Sequence, residues 1–263
     1  MQDLNISLVQ AILIWEDAAA NIDAFTNKII DLNDDTDLII LPEMFNTGFT
    51  MNAQENAEEA EGESMQWMAD MAKQKNCVIA GSLIIKEAGN YFNRFIWMQP
   101  DGNYKYYDKK HLFRMGDETL HYSAGVKKII LELKGWKIMP LICYDLRFPV
   151  WSRNTFSKGH FEYDLLIYVA NWPAVRSETW KTLLLARSIE NMAYVAGVNR
   201  VGMDGREYVY SGDSLVASPH GHIIDKLPAE KELISTSCLK YEDLTEIRDK
   251  LGVGHDWDPF STG

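Results

Sequence analysis

The chain has 263 residues, with 26 Lys+Arg against 38 Asp+Glu and a formal net charge of −12. An acidic chain repels phosphate and gains nothing from counterion release, so a basic nucleic-acid module is not expected. With 46% hydrophobic and 24% charged residues it can bury a large core, which excludes overall disorder and favours a compact enzyme-sized fold.

In chain order, the first segment has no basic region and runs into a strand pattern at 6–9, so no signal peptide is expected. Ile22, Phe25 and Ile29 then share one face of a helix, and 37–41 reads as the next strand. Glu55, Glu58, Glu59, Glu61 and Glu63 form a solvated acidic stretch, which leads into a helix marked by Met65, Met68 and Met71. Short β-branched and aromatic runs predict strands at 77–85, 92–98, 104–107, 129–133, 138–142 and 165–170. A helix is expected over 179–191, strands at 194–199, 214–217, 223–227 and 233–238, and a last helix over 241–251. Turns at Asp101-Gly102-Asn103, Gly202-Met203-Asp204-Gly205 and Pro219-His220-Gly221 join some strands directly. Hairpins mixed with helical crossovers predict α/β layers with two sheets. No linker or repeat divides 1–263, which reads as one domain.

No apolar run approaches ~18 residues, so no spanning helix and no membrane partner are expected. Cys77, Cys143 and Cys238 form no C-x-x-C pair and read as reduced thiols in a cytoplasmic protein. No two histidines show helical i, i+4 spacing, so no metal is expected.

Ligands of α/β sheets bind beyond the carboxyl ends of strands, which directs attention to the polar residues just after the strongest apolar runs. These are Glu43, Lys109, Cys143 and Asn171. Singly, Cys143 reads as a small buried hydrophobe, Glu43 as a cap and Lys109 as a surface charge. Together they meet a chemical need: a carboxylate can take the thiol's proton, and a fixed ammonium stabilises both thiolate and oxyanion. A Cys–His scheme would draw on His111, which reads more simply as a structural hydrogen-bonding residue beside the site.

Three segments, Leu41-Pro42-Glu43-Met44-Phe45, Tyr107-Asp108-Lys109-Lys110-His111-Leu112-Phe113 and Leu141-Ile142-Cys143-Tyr144-Asp145-Leu146-Arg147-Phe148-Pro149, resemble the Glu, Lys and Cys signatures of the nitrilase (carbon–nitrogen hydrolase) superfamily. The resemblance runs from the first strand to about Leu239. It implies a four-layer αββα sandwich with two mixed β-sheets, pairing as a homodimer through one α-layer. It also implies cofactor-free chemistry on a small-molecule amide. Glu43 would be the general base, Lys109 the oxyanion-side cation and Cys143 the nucleophile that forms a thioester, with the Tyr144 backbone N–H as second oxyanion donor. The stretch Glu118-Thr119-Leu120-His121-Tyr122-Ser123-Ala124-Gly125 matches the family's second glutamate motif, so Glu118 would position Lys109 or act on the attacking groups.

Residues 144–151 and 170–176 are similar to the omega-amidase branch, which hydrolyses the terminal amide of 2-oxo acids such as 2-oxoglutaramate and 2-oxosuccinamate. That similarity places Asn171, Trp172, Arg147 and Arg176 around the substrate, with an arginine gripping its carboxylate. Arg147 reads equally as an internal partner of Asp145, and Arg187 reads as a structural helix residue. Ser177-Glu178-Thr179-Trp180 departs from the related pattern, in which His more often precedes the Trp. Deaminated glutathione amidase, nitrilase and N-carbamoyl amino acid amidase stay open within the superfamily, and a catalytically silent binding module stays open outside it.

Overall fold

The computed structural model describes residues 2–32 and 35–260. Twelve strands among these residues form the main paths of two sheets: β1 (Leu4–Gln10), β2 (Leu38–Ile40), β3 (Val78–Glu87), β4 (Asn90–Met98), β5 (Tyr104–Asp108), β6 (Leu131–Leu133), β7 (Trp136–Ile142), β8 (Leu165–Ala170), β9 (Tyr194–Asn199), β10 (Leu215–Ala217), β11 (Ile223–Lys226) and β12 (Leu233–Leu239), and the short segment Glu58–Glu59 pairs alongside β3. The first sheet runs β12-β1-β2-β3-β4-β5 and the second β11-β10-β9-β8-β7-β6. Each is mixed, with a parallel centre, β1-β2-β3 in one and β7-β8-β9 in the other, flanked by antiparallel strands.

The period-2 alternation of side chains separates the layers. In β1 and β2, Leu4, Ile6, Leu8, Leu38 and Ile40 enter the core shared with the second sheet. Val9 and Ile39 point the other way, into a core closed by helices α1 (Ala18–Ile29) and α2 (Glu63–Lys75). Phe25 and Ile29 of α1 and Met65, Met68 and Met71 of α2 are the expected apolar faces, and all are buried there. On the second sheet, Trp180 and Leu184 of α3 (Ser177–Asn191) pack over Gly197 of β9, where a Cβ would lie 2.5 Å from Leu184 Cδ1. Helix α4 (Tyr241–Leu251) buries Leu244 and sets Tyr241 edge-on to Trp136 of β7, with ring centroids 5.2 Å apart.

Two expectations change in detail. Residues 202–205 are not a simple turn: Val201–Met203 pairs antiparallel with Val209–Ser211, so the reversal lies at the following residues. Both partners are too short for a periodic signal. The acidic stretch is only partly solvated, because Glu58 pairs beside Ile85 of β3 and its Oε2 accepts the Ser64 N–H at 2.9 Å, capping α2. Cys238 points to solvent from β12, whereas Cys77 is buried and its thiol is pushed up to about 12 by burial.

Gly125 couples this fold to one strand end. Its N–H donates to the Lys109 carbonyl at 2.9 Å, and a Cβ there would lie 2.0 Å from the Asp108 carbonyl oxygen. Gly125→Ala therefore forces the end of β5 to move, and chemical denaturation should show a loss of about 1–3 kcal/mol, typical of overpacking. Stability equal to wild type would mean that this approach is looser than it looks.

Candidate active site

Four strands, two from each sheet, deliver their carboxyl ends to one place. Glu43 follows β2, Lys109 follows β5, Cys143 follows β7 and Asn171 follows β8. The positions that the sequence singled out thus converge.

Local backbone geometry aims them. Met44 has φ 44°, so the chain turns sharply after Glu43, and the Met44 N–H donates to Ser82 Oγ at 2.8 Å. Lys109 continues the β5 pairing through its N–H to the Asn93 carbonyl at 3.0 Å. Cys143 itself has φ 42°, a left-handed conformation that β-carbons disfavour by about 1–3 kcal/mol. It sits where β7 gives way to the 3-10 turn Cys143–Arg147, and this bend lifts the sulfur off the strand end.

Glu43, Lys109 and Glu118 are buried. Lys109 Nζ lies 2.8 Å from Glu43 Oε1 and 2.9 Å from each oxygen of Glu118. Asn93 Nδ2 bridges the two carboxylates, at 2.7 Å from Glu43 Oε1 and 3.3 Å from Glu118 Oε1. The Phe113 N–H donates to Glu118 Oε2 at 2.5 Å. From the second sheet, the Asn171 N–H donates to Glu43 Oε2 at 2.7 Å, and its side chain donates to the Glu43 carbonyl at 2.6 Å. Cys143 Sγ lies 3.9 Å from the Asn171 carbonyl.

The charges tune one another. Burial disfavours the Lys109 ammonium, but Glu118 and then Glu43 outweigh it, and the lysine stays charged well beyond its ordinary range. Burial raises Glu118, against the pull of Lys109. Burial first and the Glu43 carboxylate second push the Cys143 thiol well above its ordinary value, with Lys109 opposing them. The resting site therefore combines a neutral thiol, an adjacent carboxylate able to take its proton and a fixed cation. Such an arrangement can carry out nucleophilic attack on a carbonyl-type carbon.

A cleft of about 90 Å³ opens above the sulfur, and Tyr144, Arg147, Trp172 and Arg176 line it with Cys143 and Asn171. Arg147 does not pair with Asp145. That carboxylate is taken by the Tyr107 hydroxyl at 2.8 Å and by the N–H and Nδ1 of His111 at 3.0 and 2.8 Å. Arg147 lies instead over the Trp172 ring, 5.2 Å from its centroid, and Arg176 over Phe113 at 5.6 Å. His111 is thus structural, as is Arg187, which donates to the Leu146 carbonyl at 2.6 Å. Among the described residues, no group of three His, Cys, Asp or Glu is arranged to hold a metal.

Sequence reasoning missed Asn93 and Arg206. Asn93 was visible as the polar interruption of an apolar strand at 92–98. Arg206 lines the cleft from a hairpin tip that carried no signal beyond its turn residues.

A family model for carbon-nitrogen hydrolases matches residues 5–249. The omega-amidase YafV of Escherichia coli (strain K12) is 46% identical over 260 residues, covering 99% of each chain. A 2-oxoglutaramate amidase of Bacillus subtilis (strain 168) is 33% identical over 223 residues, 84% of each chain. Among solved structures, a CN-hydrolase superfamily protein of Xanthomonas campestris with an arsenic adduct in its active site superposes with a TM-score of 0.98 over 100% of both chains, at 43% identity. The family match over most of the chain, the full-length relative and the superposition of two mixed sheets between helical layers agree: the chain belongs to the carbon-nitrogen hydrolase family.

Proposed function

We propose that the protein is an omega-amidase, hydrolysing the terminal amide of a small 2-oxo dicarboxylic acid monoamide such as 2-oxoglutaramate to the acid and ammonia. The observation that carries this reading is Cys143 beside a buried Glu43–Lys109–Glu118 cluster, under a cleft lined by arginines that are in no ion pair among the described residues. The full-length match to an omega-amidase and the match to a 2-oxoglutaramate amidase support it.

In the first half-reaction Cys143 Sγ bonds to the amide carbon while its proton passes to Glu43. The developing oxyanion is held by the Lys109 ammonium and the Tyr144 N–H. Collapse breaks the C–N bond, ammonia leaves with the proton from Glu43, and a thioester remains. Water then gives a proton to Glu43 and attacks the thioester, and the acid departs as the proton returns to sulfur. Glu118 positions Lys109 throughout. Asn171 fixes Glu43, and Trp172, whose Nε1–H donates to the Arg176 carbonyl at 2.9 Å, fixes the segment that carries Arg176.

The same reading takes 1–263 as one domain of a cytoplasmic homodimer. Ile189 on α3 and Val175 just before it are exposed, which supports pairing through that layer. No described helix is long and apolar enough to cross a membrane.

Ammonia release across a panel of ω-amides, nitriles and N-carbamoyl amino acids tests the reaction class. The ω-amides of 2-oxo acids should be the best substrates, and a preference for nitriles or carbamoyl compounds would overturn the assignment. Arg176→Met should raise KM for 2-oxoglutaramate roughly tenfold to a hundredfold, because a charge-assisted bidentate contact is worth about 1.5–3 kcal/mol. A neutral amide of similar length should suffer far less, and equal loss on both would make Arg176 structural.

Cys143→Ala should abolish turnover with the fold intact, while Cys77→Ser and Cys238→Ser should keep it. Because the Cys143 thiol is raised, wild type minus Cys143→Ala should show no thiolate absorbance near 240 nm at about pH 7, with the signal growing only at high pH. A full thiolate signal at neutral pH would contradict the proposed proton transfer to Glu43.

A further inference from the structure

Three guanidinium groups reach the cleft from three separate segments: Arg147 just after the nucleophile, Arg176 just before α3, and Arg206 near the tip of the hairpin Val201–Met203/Val209–Ser211. Among the described residues none of the three is in an ion pair, although the acids of the chain outnumber its bases by 12 (38 − 26). Arg147 and Arg176 each lie over an aromatic ring, whereas the exposed Arg206 has no side-chain partner among the described residues. Of the two neighbouring charges at this tip, Arg206 lines the cleft and Glu207 does not.

The turn that presents Arg206 is held firmly. Asp204 Oδ1 accepts the N–H of Arg206 at 2.9 Å and of Tyr208 at 3.0 Å, and Oδ2 accepts the Tyr210 hydroxyl at 2.7 Å. The Tyr210 ring in turn lies under the guanidinium of Arg200, 4.7 Å from its centroid. Arg200 is fully buried and donates to the carbonyls of Leu13, Val201 and Met203 at 3.0–3.2 Å. Gly205 seats against Trp15, where a Cβ would come within 2.5 Å of the indole. A buried arginine, a tyrosine, an aspartate and a tryptophan thus lock a backbone whose cleft-lining charge is Arg206.

We propose that Arg206 is a specificity-determining residue, which together with Arg147 and Arg176 makes the cleft select molecules bearing negative charge at the end remote from the amide. This rests on the omega-amidase reading only in naming that molecule a 2-oxo ω-amide. An exposed arginine on a flat surface would do little. At the mouth of a cleft with low-dielectric walls the field is focused, raises the local concentration of anions and falls with added salt.

The test uses Cys143 as an internal reporter, so that it does not depend on the substrate. The intact protein is alkylated with iodoacetate (anionic) or iodoacetamide (neutral), and labelling at each cysteine is followed by peptide mass spectrometry. Exposed Cys238 is the reference site. At low salt the iodoacetate-to-iodoacetamide rate ratio should be higher at Cys143 than at Cys238, and about 0.5 M NaCl should erase most of the difference. Arg206→Gln should lower the Cys143 ratio roughly threefold to tenfold and leave the Cys238 ratio alone, while Arg206→Lys should preserve it, since charge rather than fork geometry is at work. KM for 2-oxoglutaramate should rise by a similar factor in Arg206→Gln, with kcat unchanged. A Cys143 ratio in Arg206→Gln equal to that of wild type overturns the proposal. If wild type hydrolyses no ω-amide the proposed function fails, and the alkylation ratio still decides the role of Arg206.

Discussion

Lys109 sits out of contact with water, and two carboxylates hold its ammonium at 2.8–2.9 Å. None of the three charges is tolerable in that position without the others. Removing one partner from such a cluster commonly destabilises by about 3–5 kcal/mol, because an uncompensated charge stays behind. The rest of the site follows from this constraint. Glu43 and Glu118 must both reach the lysine, and Asn93 and the Phe113 N–H supply the further hydrogen bonds that their carboxylate oxygens accept. The spatial precision that a thiol nucleophile requires thus comes from electrostatic necessity rather than from shape alone.

The cluster also joins the two sheets. Glu43 and Lys109 come from the first sheet and Cys143 and Asn171 from the second, so the Asn171 N–H on Glu43 Oε2 spans the interface between them. The inner core, in which Ile6 and Leu8 share a cluster with Val169 of the second sheet, sets the spacing across which that hydrogen bond must reach. Packing and chemistry are therefore coupled. Gly125, pressed against Asp108, shows the same coupling at the scale of one atom.

The cleft's polarity contrasts with the rest of the molecule. The protein is strongly acidic, yet arginines from three segments line the cleft above Cys143. Two of them rest on aromatic rings, which support a guanidinium without neutralising it. Their charge remains available to a ligand.

The strands, the helices with Phe25 and Met68 on their buried faces, and Glu43, Lys109 and Cys143 as strand-end groups were legible from periodicity and position. These are local properties: alternation reports which face is buried, and the first polar residue past an apolar run marks the strand's end. The partner of Asp145 was not legible, because Arg147 and His111 compete for it and only the approach of β5 to β7 places His111 at 2.8 Å and Arg147 over Trp172. Nor was the hairpin of Val201–Ser211, whose short strands carry no period and whose orientation depends on buried Arg200 gripping carbonyls as distant as Leu13. The sequence by itself determined which residues lie at strand ends and which chemistry they can support. Only the tertiary structure decided which of them meet, because contacts such as Asn171 to Glu43 join residues far apart in the chain, and no local pattern records a distance across two sheets.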